Sequence, residues 1–454
     1  MELRDKRVLV IGFAVTGVPL VKALNTLGAD IIVNDLRSRE ELNDSIKQLE
    51  GIKVDYYLGK HPSDLNELGK IDLAVISPGI PLYIPFVKEI EREGIELIGE
   101  IELAYRFLKG TIVAITGTNG KTTTTALTGE IFRNANKSTY VVGNIGVAAI
   151  SKALETKEDD YIIMEISSFQ LESCVNFHPH IASVLNITPD HLNRHGNMEN
   201  YADIKFSIFK NQNPMDFSII NYDDKICYRK SKLLNNKLVY FSRLSQLEQG
   251  VFVKDGFIAI KEQDKEIKVI DIKDIKIPGA HNVENALAAT AMSYYSGIGI
   301  DVINKTLKTF KGVEHRIQYV DTINGVKFYN DSKATNINST IKAIEAVSTP
   351  IILLAGGMDK GDDFDLLFES FQDKVSNMFV YGETGPKIIE CAKRYGFTSI
   401  TLVKSLEEAV TNANKISTEG DSILLSPACA SWDMYKNFEE RGKEFISLVA
   451  NLRG

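Results

Sequence analysis

A chain of 454 residues, 44% hydrophobic and 25% charged, is too long for one core and too apolar to be largely disordered; its length predicts about three domains. The formal net charge of −8, with acids and bases interspersed, excludes a nucleic-acid footprint, because an acidic surface repels a phosphate backbone. Cys174, Cys227, Cys391 and Cys429 lie far apart without metal-type spacing, no apolar run reaches the roughly 20 residues that span a bilayer, and Met1–Arg7 lacks a signal-peptide core. The expectation is a soluble cytoplasmic protein with reduced thiols and neither a membrane nor a nucleic-acid partner.

Residues 1–99 alternate strand and helix signals. Arg7–Gly12 is an apolar run of buried-strand character, and an amphipathic segment follows from Gly17 to Leu27. Asp30–Asp35 and Ile71–Ser77 read as two further strands, so the alternation predicts an open parallel sheet covered by helices. The turn Gly12-Phe-Ala-Val-Thr-Gly17 stands where a dinucleotide fingerprint would, with Asp35 at the spacing of a ribose-binding acid. Ala14 replaces the glycine that lets backbone approach a pyrophosphate. A redox cofactor is therefore disfavoured, which leaves a nucleotide diphosphate held differently or a plain strand-to-helix turn. Ser77-Pro-Gly79 ends the third strand at the same sheet edge.

The next unit opens with the stretch on which the rest depends. Ile112–Ile115 is a β-branched strand run, Gly117-Thr-Asn-Gly120 a glycine turn, and Lys121 to about Arg133 a helix. Backbone N–H groups and a helix N-terminus then face an anion, with Lys121 reaching terminal phosphates and Thr122 ligating a phosphate-bound Mg²⁺. The loop has two residues between its glycines where the common phosphate loop has four, which argues against an ordinary kinase or GTPase. The plainer reading is a tight turn with a chance lysine. Tyr140–Gly146 is a strand ending in a polar turn at Asn144, and Tyr161–Met164 a strand tipped by Glu165. That acid is a second Mg²⁺ anchor or a solvated strand end. Ile181–Thr188 leads into Asp190-His191, and Tyr201 and Lys205 share a helix face at i, i+4; by periodicity alone Lys205 is solvated. Residues 217–276 read as short strands of a small accessory sheet without chemistry. Asn282 and Asn285, at the start of an alanine-rich helix, offer amides to a nucleobase or cap the helix.

Residues 313–454 alternate again, with strands at Val326–Tyr329, Ile351–Leu354, Met378–Tyr381, Ile400–Val403 and Ile423–Leu425 and a last helix from about Phe438 to Leu452. The loops Asp331–Asn336, Gly356–Gly361 and Ser426–Trp432 each follow a strand and should meet at one sheet edge. Cys429, among small residues and without a nearby base, reads as a buried structural thiol rather than a nucleophile.

Taken together, Thr116-Gly-Thr-Asn-Gly-Lys-Thr122, Glu165-Ile-Ser-Ser-Phe-Gln170, Asp190-His191, Asn330–Asn336 and Ser426–Ser431 resemble the motifs of the Mur ligase family, over essentially the whole chain. The last two resemble the D-glutamate-adding branch. The resemblance implies a three-domain α/β protein. A Rossmann-like N-terminal domain (1–99) would bind the UDP substrate, a central P-loop ATPase-like domain with a parallel or mixed sheet (100–312) ATP, and a Rossmann-like C-terminal domain (313–454) the amino acid. It implies an ATP-dependent ligase that adds D-glutamate to UDP-N-acetylmuramoyl-L-alanine in peptidoglycan precursor synthesis, acting as a monomer. Gly117, Thr118, Asn119, Gly120, Lys121, Thr122 and Thr123 would hold the ATP phosphates, Asn282, Asn285, Arg316 and Asp331 would position the adenine and ribose, and Lys333 would lie near the phosphates. Thr122 and Glu165 would serve one Mg²⁺, His191 and Lys205 a second, with Lys205 carbamylated into an anionic oxygen ligand. Asn144 would contact the activated substrate, making Lys121, Asn144, His191 and Lys205 the catalytic set. Val15, Thr16, Asp35, Arg37 and Gly79 would grip the uridine diphosphate, and Thr335, Lys360, Ser431 and Phe438 would receive D-glutamate. Trp432 departs from the family pattern, which is often aliphatic there.

The implied chemistry follows from need. A carboxylate resists attack by an amine, so the alanyl carboxylate first takes the γ-phosphoryl group of ATP, and the D-glutamate amine then displaces phosphate from the acyl phosphate. Such an intermediate hydrolyses readily, which implies closure of the C-terminal domain to exclude water. Two rivals stand beside this reading. Folylpolyglutamate synthetases share the phosphate loop but lack a nucleotide-binding unit ahead of it, whereas more than a hundred residues precede Gly117 here. A nucleotide-binding regulatory module would not need Lys121, Glu165, His191 and Lys205 together.

Overall fold

Val8, Leu9, Val10 and Ile11 are almost wholly buried, since a strand covered on both faces has no solvent side. They form β1 (Arg7–Ile11), the middle of a parallel five-stranded sheet with β2 (Asp30–Asp35), β3 (Asp55–Leu58), β4 (Leu73–Ile76) and β5 (Leu97–Gly99), in the order β3-β2-β1-β4-β5. Val8 and Val10 enter one core and Leu9 and Ile11 another, the alternation expected of a strand with two dry faces. The strand order reverses between β1 and β4, which leaves a crevice at their carboxyl ends. The computed structural model describes every residue except Ala14, Val15, Lys360, Asp362, Gly454 and the side chain of Asn338, so the expectations for Val15 and Lys360 lie outside the described residues.

The second sheet has nine strands: β6 (Thr111–Thr116), β7 (Thr139–Gly143), β8 (Tyr161–Glu165), β9 (Ile181–Val184), β10 (Phe217–Asn221), β11 (Lys237–Ser242), β12 (Gly250–Lys254), β13 (Phe257–Glu262) and β14 (Lys265–Asp271). Their order is β14-β13-β12-β11-β10-β9-β6-β8-β7. The small accessory sheet expected at 217–276 is instead the continuation of this sheet. Ser218, Ile219 and Ile220 are fully buried because β10 pairs in parallel with β9 on one side and β11 on the other. Only β12 to β14 turn antiparallel.

The third sheet runs β15 (Gln318–Ile323), β16 (Val326–Asn330), β20 (Ser422–Leu425), β17 (Ile351–Gly356), β18 (Val375–Tyr381), β19 (Ile400–Leu402). All pairs are parallel except β15 with β16. β15 escaped the sequence reading because it is polar and largely open to solvent, as an edge strand can be. Residues 1–274 with 283–308 form one compact unit carrying the first two sheets, and residues 275–282 with 309–454 form a second carrying the third. Among the described residues no helix is long and apolar enough to cross a membrane.

Two acids fasten the first sheet to the second. In the helix Glu100–Tyr105, Glu102 accepts the N–H groups of Val175, Asn176 and Phe177, each at 3.0 Å, and the Nε of Arg106 at 3.1 Å. Glu100 accepts the Ile150 N–H at 2.7 Å, but its Oε2 is buried with no hydrogen-bond partner, and burial pushes its carboxyl up to about 7. Between pH about 4.5 and about 7 the unfolded chain ionises at this residue while the folded chain resists, so stability falls as pH rises. Glu100→Gln is therefore expected to stabilise the protein by about 1–2 kcal/mol at pH 8, allowing for the unpaired amide, and to destabilise it by about 1 kcal/mol at pH 5, where little ionisation cost is relieved. Urea midpoints at the two pH values check this; equal shifts at both would refute the titration account.

Candidate nucleotide and ligation site

β6 ends at Thr116, and pairing sets Ile115 beside Glu165 of β8 and Thr116 beside Val184 of β9. Gly143 of β7 lies opposite Glu165 on the other side. The loops that carry Gly117–Gly120, Asn144 and Asp190-His191, and the strand tip at Glu165, thus leave one sheet edge together, as their positions after strands predict. Gly117 (φ +151°) and Gly120 (φ +82°) adopt backbone conformations that favour glycine, and a Cβ on Gly120 would stand 2.3 Å from the Asn285 Oδ1. The Thr118 N–H donates to the Asn186 carbonyl at 2.9 Å and the Asn119 N–H to Asn186 Oδ1 at 2.8 Å. Thr118 Oγ1 accepts the Thr188 N–H at 3.0 Å. Asn186 and Thr188 were not singled out in the sequence, although their place just beyond β9 was the available signal.

From this loop the helix Lys121–Asn134 starts with Thr122 and Thr123 buried. Lys121 Nζ donates to the carbonyls of Gly117 and Thr118, both at 2.8 Å. Lys205 Nζ donates to the same Gly117 carbonyl at 2.8 Å and sits 4.7 Å from the Tyr201 ring centroid. The periodicity reading of Lys205 as solvated is corrected here: the residue is 1% exposed, because its helix packs this face inward. Burial, reinforced by the Lys121 charge, drives the Lys205 ammonium well below the ordinary lysine range, so that the neutral amine is favoured.

Glu165 is buried at its strand tip. Its Oε1 accepts Asn144 Nδ2 at 2.8 Å and its carbonyl the Asn144 N–H at 2.9 Å, while Oε2 is buried without a hydrogen-bond partner. An orphaned carboxylate oxygen beside a phosphate loop fits a hard cation. Mg²⁺ asks for only one or two carboxylates with phosphates and water, so the lack of any three-residue His, Cys, Asp or Glu cluster among the described residues does not conflict. His191 is half exposed, left-handed at φ +51°, with its ring 4.8 Å from that of Phe169 and its Nε2 3.4 Å from Asp190 Oδ2.

At the first sheet the Asp35 carboxylate is held by neighbouring groups of the chain. Its oxygens accept the N–H of Phe13 at 2.6 Å and of Arg37 at 2.9 Å, and the Arg37 guanidinium forks across both while donating to the Phe13 carbonyl at 2.9 Å. Burial opposes ionisation, but these hydrogen bonds outweigh it and hold the carboxyl below its usual value. Asp35 thus braces the turn and aims Arg37. Thr16 opens the helix Gly17–Thr26, and Gly79 is exposed, an added Cβ there meeting nothing within 4 Å. A cleft of about 920 Å³ adjoins Phe13 and Arg37.

Asn285 Oδ1 accepts Thr124 Oγ1 at 3.1 Å, whereas Asn282 donates to the Pro278 carbonyl at 2.6 Å; neither caps the helix Ala280–Tyr295, which begins before both. In the second unit Asp331 follows β16, accepting Ser426 Oγ at 2.7 Å and the Ile317 N–H at 3.1 Å. Burial pushes its carboxyl up to about 7 against the opposing Ser426 hydrogen bond and Arg316 charge. Lys333 Nζ lies 5.5 Å from the Phe438 ring centroid, Ser431 is buried, and Thr335 is half-buried. Trp432 is exposed and Cys429 is buried, as a structural thiol should be.

Sequence reasoning missed Arg441. It is fully buried in the helix Phe438–Asn451 and donates through Nε to Ser332 Oγ at 3.0 Å and through Nη2 to the carbonyls of Ser332 at 2.9 Å and Cys429 at 3.1 Å. Its Nη1 reaches the Gly356 carbonyl at 3.4 Å. One cation so ties together the three loops expected to meet at this sheet edge.

A glycine loop on a helix N-terminus, with two lysines on one of its carbonyls and a carboxylate beside it, defines an α/β protein of the nucleotide-phosphate-binding class. Three families match the chain in succession: the Mur ligase MurD-like N-terminal domain over 6–99, the Mur ligase middle domain over 115–293, and the Mur ligase glutamate ligase domain over 315–429. The UDP-N-acetylmuramoylalanine–D-glutamate ligase of Alkaliphilus oremlandii is 59% identical over 455 residues, covering 100% of both chains. That of Clostridioides difficile is 48% identical over the same span, again with 100% of both covered. The chain belongs to the Mur ligase family. Its fold is shared with UDP-N-acetylmuramate–alanine ligase MurC of Thermotoga maritima (TM-score 0.61, 18% identity, 98% and 99% of the chains). It is shared also with the MurF ligase of Thermotoga maritima, solved in complex with ADP (TM-score 0.60, 16% identity, 100% and 97%).

Proposed function

We propose that this protein joins D-glutamate to UDP-N-acetylmuramoyl-L-alanine at the expense of ATP, a cytoplasmic step of peptidoglycan precursor synthesis, and that it works as a monomer. Full-length identity of 59% to a ligase of that name carries the reading, and the sheet-edge geometry supports it. In this reading residues 1–99 bind the UDP substrate, 100–312 the ATP phosphates and 313–454 D-glutamate.

Loop 117–120 and the first turn of the helix Lys121–Asn134 grip the triphosphate, and Lys121 leaves the loop carbonyls to meet it. Asn285 lies beside the loop, and Asn282, Arg316 and Asp331 would position adenine and ribose, with Lys333 near the phosphates. Thr122 and Glu165 would hold one Mg²⁺, and His191 with a carbamylated Lys205 a second. Bound there, the ions neutralise charge between the meeting phosphate and carboxylate oxygens. Lys205 suits carbamylation because its buried amine is the form that adds CO₂, losing one proton to become an anion. Val15, Thr16, Asp35, Arg37 and Gly79 take the uridine diphosphate, with Asp35 also aiming Arg37. Asn144, fixed through Glu165, orients the alanyl carboxylate for attack on the γ-phosphorus, at which the bond to the departing ADP oxygen breaks. Thr335, Ser431, Phe438 and Lys360 receive D-glutamate, whose free amine attacks the acyl carbon and expels phosphate.

Phosphate release with ATP, Mg²⁺ and UDP-N-acetylmuramoyl-L-alanine, compared for D-glutamate, L-glutamate and no amino acid, tests the reading. Turnover with D-glutamate alone is expected. Turnover on a folate acceptor with L-glutamate, or binding of ATP without turnover on any acceptor, would overturn it.

A further inference from the structure

Arg194 lies in the short helix Leu192–His195, three residues beyond His191, with its side chain 11% exposed. Its Nη2 donates to Glu172 Oε2 at 2.6 Å and its Nε to Oε1 at 3.4 Å. The same Nη2 donates to the Ile80 carbonyl at 2.9 Å. Ile80 closes the Ser77–Ile80 turn at the edge of the first sheet, its N–H bonded to the Ser77 carbonyl at 3.0 Å. A Cβ added to Gly12 would stand 2.6 Å from Ile80 Cδ1, so this turn also packs on the loop after β1. One guanidinium therefore bridges the first sheet's substrate edge and the second sheet's.

On the other side the contacts run to the phosphate loop. Glu172 Oε1 lies 3.2 Å from His195 Nδ1, and His195 Nε2 is 3.1 Å from Ser168 Oγ. The buried His195 ring packs 5.2 Å from that of Tyr201, whose hydroxyl is 3.2 Å from Thr118 Oγ1 and whose ring carries Lys205. Arg194 also lies 5.1 Å from the Phe169 ring centroid, the ring that supports His191. A planar fork with several donors can hold a carboxylate and a carbonyl at once and stack on an aromatic face, which a single ammonium cannot do.

We propose that Arg194 is a positioning residue for ligation, holding the Ser77–Ile80 turn in register with the His191 turn so that the UDP-linked carboxylate arrives in line with the phosphate loop. This rests on the ligase reading above, in which Gly79 lines the UDP site. Arg194 touches no reacting atom. Its loss should weaken the UDP substrate and slow turnover while sparing the nucleotide, because the phosphate loop keeps its own bonds to Asn186 and Thr188.

The test measures dissociation constants for UDP-N-acetylmuramoyl-L-alanine and for a non-hydrolysable ATP analogue, with melting temperatures, in wild type, Arg194→Lys and Arg194→Ala. Arg194→Lys keeps a charge for Glu172 and guards against misfolding. The expected result is a loss of UDP-substrate affinity of at least about fivefold in the lysine variant and tenfold in the alanine variant, with the analogue within about twofold and kcat reduced. Unchanged UDP-substrate affinity in a folded Arg194→Lys would overturn the proposal, as would equal weakening of both ligands, which marks a merely structural role. If wild type itself fails to bind the UDP substrate, the ligase reading falls and this proposal with it.

Discussion

Lys121→Ala is expected to lower phosphate release by roughly 10²–10³-fold, the usual cost of removing one preorganised charge from a developing anion. The side chain stands at the helix N-terminus with its ammonium on the Gly117 and Thr118 carbonyls, so it is already within the loop that the γ-phosphate would enter. A second effect should accompany the first. The Lys121 charge helps, after burial, to depress the Lys205 ammonium, and its removal makes Lys205 more basic and less available to CO₂. The variant's residual activity should accordingly depend more steeply on added bicarbonate than that of wild type. A stopped assay with and without bicarbonate, alongside a melting curve to confirm folding, decides the matter; a loss below about tenfold would sink the assignment of Lys121 to the transferring phosphate.

Arg441→Ala should produce the largest stability loss, roughly 3–5 kcal/mol, concentrated in the second unit. Truncation deserts the carbonyls of Ser332, Cys429 and Gly356 and leaves a hole among fully buried neighbours. Arg441→Lys should recover only part, since one ammonium cannot reach three loops. Denaturant unfolding monitored near Trp432, the single tryptophan and itself in this unit, provides the readout. If the alanine variant unfolds within about 1 kcal/mol of wild type, Arg441 is not the tie that its hydrogen bonds depict.

What could be read from the chain alone divides along the range of the interactions involved. Strand, glycine turn and helix at 111–134 are local, set by β-branched residues, glycines and spacing, and the structure repeats them closely. Glu165 was readable because a strand's end is visible as the end of an apolar run. Lys205 was not, since nothing in Met198–Phe206 announces that a lysine's face turns inward; only β6 and the phosphate loop, some ninety residues earlier, make it so. The same holds for Arg441, Arg194 and Glu172, whose partners lie far away in sequence. Asp35 was found at the expected position, but its oxygens are occupied by backbone and Arg37, a matter of side-chain aim that spacing does not encode.

A nine-stranded sheet must stop somewhere, and β14 shows how this one does. Along Lys265–Asp271 the outer half presents exposed Lys265, Glu266 and Lys268, with Glu266 paired to Lys254 and Lys268 resting over the Phe257 ring. A foreign strand adding itself here would have to strip water from those charges and prise Lys268 from its aromatic seat. The last strand thus acts as a terminator, which keeps copies of the sheet from zipping edge to edge into fibres.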